Sequence, residues 1–266
     1  MQMSRISWLL AILVLLGLGA WRLIHIRTGT SAAQRANASD IAAPVRNSAF
    51  STLTKDRQIN TLYNPRGSTV TDLTLSDGTH VWLNAGSSIR YPVTFPTYDR
   101  TVEINGEAYF DIAADASRPF GIKNGNIFVR ALGTSLNIKA SGDPLCRISL
   151  LQGSARVTAG NTLTLGAGQQ AVVDNKVELV KDANIDAVTD WKTGLFSFSH
   201  TDLVSALREL SRWYDVNIIY DKAPPNRYFT GKLDRTLSLD QVLQTLGEGR
   251  LHYTIDPLKR QLTILQ

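Results

Sequence analysis

Residues 106–137 read GEAYFDIAADASRPFGIKNGNIFVRALGTSLN, and this stretch decides the fold. Ala108, Phe110 and Ile112 alternate with Tyr109 and Asp111, a period of two that marks a half-buried strand. Ser117-Arg118-Pro119 breaks it, because proline has no amide hydrogen to give to a ladder. Phe120 and Ile122 begin a second strand, Gly125-Asn126 turns it, and Ile127, Val129 and Ala131 make a third. Strand, corner and hairpin follow one another with no helical period.

The pattern extends both ways. Upstream, Leu73 and Leu75 precede Ser76-Asp77-Gly78, and Val81 and Leu83 follow. A two-residue loop would set Leu75 opposite His80. A three-residue loop with Gly78 left-handed sets Leu73 opposite Val81 and gathers all four aliphatics on one face, so it is preferred. Trp82 and His80 then face the other way, which makes His80 a satisfied polar residue rather than a ligand. Downstream, Ile148 and Leu150 are expected to pair with Val157 across Gly153-Ser154. Leu163 and Leu165 are expected to pair with Ala171 and Val173 across Gly166-Ala167-Gly168. Those last glycines match a dinucleotide fingerprint in form. No helix follows them, so no helix N-terminus would meet a pyrophosphate, and that reading is rejected. Short strands with glycine turns predict an all-β domain over 59–180, a sandwich or a coiled stack of hairpins.

From Trp191 the composition changes. Phe196 and Phe198 predict a strand; Ser199 and Asp202 fit a capping box; Leu203, Ala206, Leu207 and Leu210 form a helical stripe. Val216, Ile218 and Tyr220, then Phe229 and Leu233, predict two strands. Ser238 and Gln241 repeat the box, Leu239, Val242, Leu243 and Leu246 repeat the stripe, and Gly247 ends it. Leu251, Tyr253 and Ile255 pair across Pro257-Leu258-Lys259 with Leu262 and Ile264. The order β-α-β-β-α-β-β over 190–266 predicts a small α+β layer domain, two helices on one face of a sheet. The fold class is therefore mainly β, with a small α+β domain attached.

Residues 6–26 are nearly all apolar, with Trp8 and Trp21 near the ends where interfacial aromatics belong. An uncleaved transmembrane helix is preferred there over a signal peptide, for which Leu18-Gly19-Ala20 is a poor cleavage site. Residues 1–5 form a stub before it. Residues 27–58, rich in Ala, Ser, Thr and Asn between Thr28 and Ala49, read as a flexible linker. The formal sequon Asn37-Ala38-Ser39 carries no weight in this reading.

The net charge of +5 arises from scattered residues without a recognition motif, so nucleic-acid binding is not expected. Cys146 is the single cysteine, so no internal disulfide can form; it shares a strand face with Ile148 and Leu150 and reads as a small buried apolar residue. His25, His80, His200 and His252 match no metal spacing. Glu107 and Asp111 share a strand face, as Asp115 would if the strand ran on. That face is read as solvated, with Glu107 serving backbone donors near Gly106. Neither an enzyme nor a cofactor is expected.

Several motifs in order and at fitting spacing carry a family resemblance. Asp77-Gly78, Trp82 and Asn84, then Gly106, Glu107 and Phe110, then Arg118-Pro119-Phe120, then Gly133-Thr134 and Asn137 resemble the core of FecR-type sigma-factor regulators, in particular the two-domain versions from Bacteroidetes-like bacteria. The C-terminal part resembles the short N-terminal domain of secretins and TonB-dependent receptors. The resemblance implies a single-pass inner-membrane protein with its bulk in the periplasm. It would relay the state of a TonB-dependent outer-membrane receptor, through that receptor's periplasmic signalling domain, to an extracytoplasmic-function sigma factor. Arg22 near the end of the span, with Arg27 and Arg35 after it, opposes that orientation under the positive-inside rule, and the resemblance is preferred. Related regulators carry a cytoplasmic sigma-binding domain before the span, where this chain has only the stub. Either Met1 is internal to a longer protein or that domain is lost; in the second case the chain is a stand-alone periplasmic protein-binding module. Some relatives cleave themselves at the Gly133-Thr134 bond by attack of the threonine hydroxyl on the preceding carbonyl. A glycine at a strand kink beside a sheet threonine is preferred here. Exposure alone nominates Arg208, Arg212, Tyr228, Thr230 and Lys232 as partner contacts. Two separate apolar cores offering only outer surface to partners complete the expectation.

Overall fold

The computed structural model describes residues 40–45, 50–54, 58–140, 145–181, 183–248 and 250–265. The expected membrane span and stub lie outside these residues. Among the described residues no helix is long and apolar enough to cross a membrane. Fourteen strands build one continuous sheet: β1 (Phe50–Thr54), β2 (Ile59–Asn64), β3 (Thr71–Thr74), β4 (His80–Leu83), β5 (Ser87–Pro92), β6 (Arg100–Ile112), β7 (Phe120–Asn124), β8 (Ile127–Ala131), β9 (Thr134–Ala140), β10 (Cys146–Gln152), β11 (Ser154–Ala159), β12 (Asn161–Gly166), β13 (Gln170–Val173) and β14 (Val177–Val180).

Strand β6 belongs to two halves of that sheet. Arg100–Glu103 pair in parallel with β7 and residues 103–105 pair with β5, while Gly106–Ile112 pair with β9 and Ala108–Asp111 with β4. The switch occurs at Gly106, whose φ of 95° lies in the region that favours glycine. A Cβ there would stand 2.5 Å from Ser87 Oγ and 2.8 Å from Ser87 Cα. Inward residues of both halves, among them Ile89, Val129 and Val157 of one and Phe110, Leu136 and Leu150 of the other, form one core.

The 73–83 hairpin has the expected register: Leu73 faces Val81, the loop is Ser76-Asp77-Gly78, and Gly78 has φ 86°. β7 and β8 form the expected hairpin across Gly125-Asn126. Two other expected hairpins are wrong. β10 pairs with β9 and β13, whereas β11 pairs with β8 and β12. The chain changes sheet halves at Gly133, again at Gly153 and again between β12 and β13, so β10 and β11, like β12 and β13, go to opposite layers. The two glycines are packed backbone to backbone: a Cβ on Gly153 would meet the Gly133 carbonyl at 2.6 Å. Period-two alternation is identical for either pairing, and so could not choose between them.

The C-terminal module has the expected element order. A 3₁₀ turn (Asp190–Thr193) leads into β15 (Leu195–Asp202), a first helix (Leu203–Tyr214), β16 (Asn217–Tyr220), β17 (Tyr228–Asp234), a second helix (Leu239–Gly247), β18 (Tyr253–Asp256) and β19 (Gln261–Ile264). The strands do not form a single sheet. Among the described residues β15 pairs with β17 alone, and β16-β19-β18 form a separate three-stranded sheet. The first helix starts later than the Ser199 box implied: its cap is Asp202, which accepts from the Ser205 amide at 2.9 Å. Ser238 and Gln241 form the expected capping box. Both leucine stripes fill a second core with Phe196, Trp213 and Tyr214. Residues from far upstream join it: Ala85 of the β-rich half, and Ile41 from the segment expected to be a free tether.

Gly106→Ala is expected to lower unfolding free energy by about 3 kcal/mol or more, since strain at positive φ adds to an unavoidable clash with backbone. Gly125→Ala is the control: its φ is 56° but nothing lies within 4 Å, so only the left-handed cost of about 1 kcal/mol should appear. Urea titration of both variants checks the difference.

Candidate functional site

The site grows from the outward face of β6, β9 and β10. Cross-strand register sets Glu107 beside Lys139, Tyr109 beside Asn137, Lys139 beside Arg147 and Asn137 beside Ser149. In isolation that face would meet water. Here the C-terminal module covers it, and Glu107 and Asn137 are each only 3% exposed. The expectation of a solvated face is therefore corrected. Glu107 does not serve backbone donors: its carboxylate accepts from Asn84 Nδ2 at 2.9 Å and from Asn137 Nδ2 at 3.2 Å. Asp111, two strand positions further on, stays exposed and accepts from Ser135 Oγ. Asp115 lies beyond the strand in the corner. Hydrogen bonds from Ser117, then from Arg118, hold its carboxyl down to about 2.

The module contributes the opposing charges. The first helix buries Leu203, Ala206, Leu207 and Leu210 against its own core, while Glu209 on the same helix reaches the junction. Glu209 Oε2 accepts from Lys139 Nζ at 2.9 Å, and its Oε1 accepts from Arg235 Nη2 at 2.9 Å. Arg235 also donates from Nη1 to Asn84 Oδ1 at 3.0 Å, with its guanidinium carbon 4.7 Å from the ring centres of both Phe196 and Trp213. Trp191 Nε1 donates to Asn137 Oδ1 at 3.2 Å. Two carboxylates, two cations, two amides and an indole thus form one bonded cluster across the junction. The expectation of two independent halves offering only outer surface fails: the apolar cores are distinct, but a shielded ionic cluster joins them.

A second set of contacts holds the end of the first helix. Arg66 Nη2 donates to the carbonyls of Ser211 and Val216, the Gly67 amide donates to the Arg212 carbonyl, and Arg260 donates to the Tyr214 and Asp215 carbonyls. Helix-end carbonyls lack intrahelical donors and carry partial negative charge, so two arginines fit there.

The electrostatics follow from burial and neighbours. Burial alone would raise the Glu209 carboxyl; Lys139 and Arg235 outweigh it and hold the group below its ordinary value. Burial would likewise lower Lys139, but Glu107 and Glu209 raise it. Arg235 is lowered, chiefly by burial. Glu209 and Lys139 thus keep their charges at neutral pH and fix geometry; Glu209 is no general base poised near neutrality. Beside it opens a polar cleft of about 260 Å³, lined by Lys139, Arg147, Ser149, Gln170, Ser197 and Asp202 among others. Among the described residues no group of His, Cys, Asp and Glu has the arrangement to hold a metal ion.

The motif residues fall into five places. Asn84, Gly106, Glu107 and Asn137 build the junction. Asp77, Arg118 and Phe120, with Gly78 and Pro119 adjoining them in sequence, meet Arg100, an arginine 1% exposed whose Nη1 donates to Asp77 Oδ2 at 2.9 Å and whose Nε donates to the Arg118 carbonyl at 2.8 Å. Phe110 lies in the core beneath. Trp82 stacks on His80 at 4.0 Å, and Lys192 Nζ stands 3.9 Å from the Trp82 ring centre and 3.5 Å from that of Tyr109. His80 Nε2 is 3.0 Å from Asp72 Oδ2. Thr134 is buried and its hydroxyl donates to the Ser154 carbonyl at 3.1 Å, which ties together the two sheet crossings. Burial pushes the Cys146 thiol up to about 12.

The nominated partner residues separate. Tyr228 is 51% exposed and stacks on His200 at 4.3 Å; Lys232 pairs with Asp190 at 2.7 Å; Thr230 accepts from the His200 amide. All three lie on β17, which among the described residues pairs with β15 only. Arg208 and Arg212 are half-buried, and Arg212 packs beside Gly86 at the seam instead of joining that edge. Sequence reading missed Arg100, Lys139, Glu209, Trp191 and Arg235. Only Arg100 carried a signal: it is in phase with Val102 and Ile104, hence inward.

The FecR protein family model matches residues 65–156, and the model for the FecR C-terminal region matches residues 195–262, together more than half of the chain. Two crystal structures of a candidate anti-sigma factor from Parabacteroides distasonis are similar. Both are 29% identical with a TM-score of 0.71; one match covers 77% of this chain and 98% of that one, the other 78% and 99%. No curated protein matches the chain significantly.

Removing one partner of a buried ionic cluster strands the others, so Arg235→Met is expected to cost about 3–5 kcal/mol in urea unfolding. Because the Glu209 carboxyl is lowered on folding, its stabilising contribution is full above its ordinary value of 4.5 and fades as the pH falls below it. Unfolding midpoints between pH 6 and 3 should therefore decline less steeply for Glu209→Gln than for the parent protein, from a lower starting point.

Proposed function

The chain belongs to the FecR family, and from that premise we propose that it is a sigma-factor regulator anchored in the inner membrane with its described body in the periplasm. The C-terminal module receives the periplasmic signalling domain of a TonB-dependent outer-membrane receptor, and the occupied state is relayed toward an extracytoplasmic-function sigma factor. Direct contact with the sigma factor requires a cytoplasmic domain ahead of the span. The family matches and the similarity to a candidate anti-sigma factor along both halves support this reading.

The observation that carries it is the junction. Glu209 and the capped end of the first helix bind the module to the other half, so a load on the module reaches the whole body. The free edge of β17 supplies the docking strand, by pairing of an incoming strand with unpaired backbone groups. Tyr228 is the exposed aromatic at its start and serves as the anchor.

Residues 38–266, which form one compact unit, are the fragment to test; a shorter piece from residue 191 would expose Glu209 and Arg235. Co-purification with receptor signalling domains from the same genome should give a complex that Tyr228→Asp weakens at least tenfold. Absence of any complex with the folded 38–266 body would refute the docking step.

A further inference from the structure

The segment ahead of the first strands is attached to the C-terminal module. The Ile41 carbonyl accepts from the Leu239 amide at 2.9 Å, and Asp40 Oδ1 accepts from the Asp240 amide at 3.1 Å. These are the first two amides of the second helix, which no helix carbonyl can reach; the third, of Gln241, is taken by Ser238. The Asp40 carboxylate also lies at the positive end of the helix. Ile41 is 8% exposed and belongs to the second core, and Ala43 packs against that core. Yet Ala42 and Val45 beside them are exposed.

We propose that Asp40–Ala43 is a strap that leaves and redocks on the module as a unit while both cores stay folded. It thereby couples the chain ahead of residue 40 to the second helix. Its attachment consists of one buried aliphatic, one small residue and two hydrogen bonds, set against the ordering of four residues. Such a balance gives an opening far less costly than global unfolding. Release returns the Leu239 and Asp240 amides to water, vacates the place of Ile41 in the second core, and leaves the Asp240 side chain to Tyr253, whose hydroxyl donates to Asp240 Oδ1 at 2.7 Å. Coupling runs both ways: whatever pulls on the preceding chain loosens the start of the second helix, and whatever alters that start shifts the strap. The strap is a property of this chain alone and stands whether or not the regulator reading does.

Native-state hydrogen exchange on the full chain tests it. In the unmodified protein, amides of residues 41–43, 239 and 240 should exchange together, with little dependence on sub-denaturing urea. Amides of the first helix should follow global unfolding with a steep dependence. Ile41→Ala and Asp40→Ala should each speed the strap group at least tenfold and leave the first helix unchanged, with Val45→Ala, a change at an exposed neighbour, as the silent control. A single common urea dependence for strap and first helix would overturn the proposal, because the segment would then be an inseparable part of the core. So would unaltered exchange at Leu239 and Asp240 in both variants.

Discussion

Four ionisable groups, the buried Glu107 and half-buried Lys139 from one half with the buried Glu209 and Arg235 from the other, constrain everything else in the body. A buried ion without a partner is severely destabilising; Lys139–Glu107 and Arg235–Glu209 pair within their own halves, while Lys139–Glu209 and the Arg235–Asn84 hydrogen bond exist only when the halves are together. Asn84 and Asn137 fill the remaining acceptor and donor positions, so the carboxylate of Glu107 is bonded on both oxygens. The arrangement explains why two distinct apolar cores behave as parts of one unit. The cores supply most of the burial; the cluster decides how they are placed, since apolar surfaces alone tolerate sliding and a bonded charge set does not.

The first helix is where that constraint becomes mechanical. Its middle carries Glu209 into the cluster, and its last carbonyls are satisfied by Arg66 and Gly67 from the other half and by Arg260 from its own. Its apolar stripe meanwhile packs under Phe196 and the second helix. One twelve-residue element thus fills the second core and reaches the other half through polar contacts, and the second helix in turn receives Asp40 and Ile41. Contact can pass from the leading segment, through the second helix and the shared core, to the first helix and the junction without a gap in packing.

The β-rich half depends on close backbone approach in a comparable way. Gly106 lets β6 serve two layers, and Gly133 and Gly153 let the chain cross between them. Arg100 then staples the corner, bonded to Asp77, Ala113 and Arg118, beside the ring of Phe120. The motif residues that carried the family resemblance are therefore largely explained as geometry. They are the places where a side chain would not fit, or where a buried polar group must find its match.

Local pattern was enough for some features. The 73–83 register followed from the phase of four aliphatics, and the helix stripes and the strand–helix order of the module followed from periods of two and 3.6. Cys146 was placed inside by its strand phase. Pairing between β10 and β11 was misjudged because alternation reports which face a residue takes, never which strand lies beside it. What the chain determines by itself is which side of each element is oily, since that needs only near neighbours. Whether the polar side of an element meets water or another domain depends on residues more than a hundred positions away, as Asn84 and Arg235 show. Glu107 looked like a surface carboxylate for that reason, and only the docking of the first helix made it a buried one.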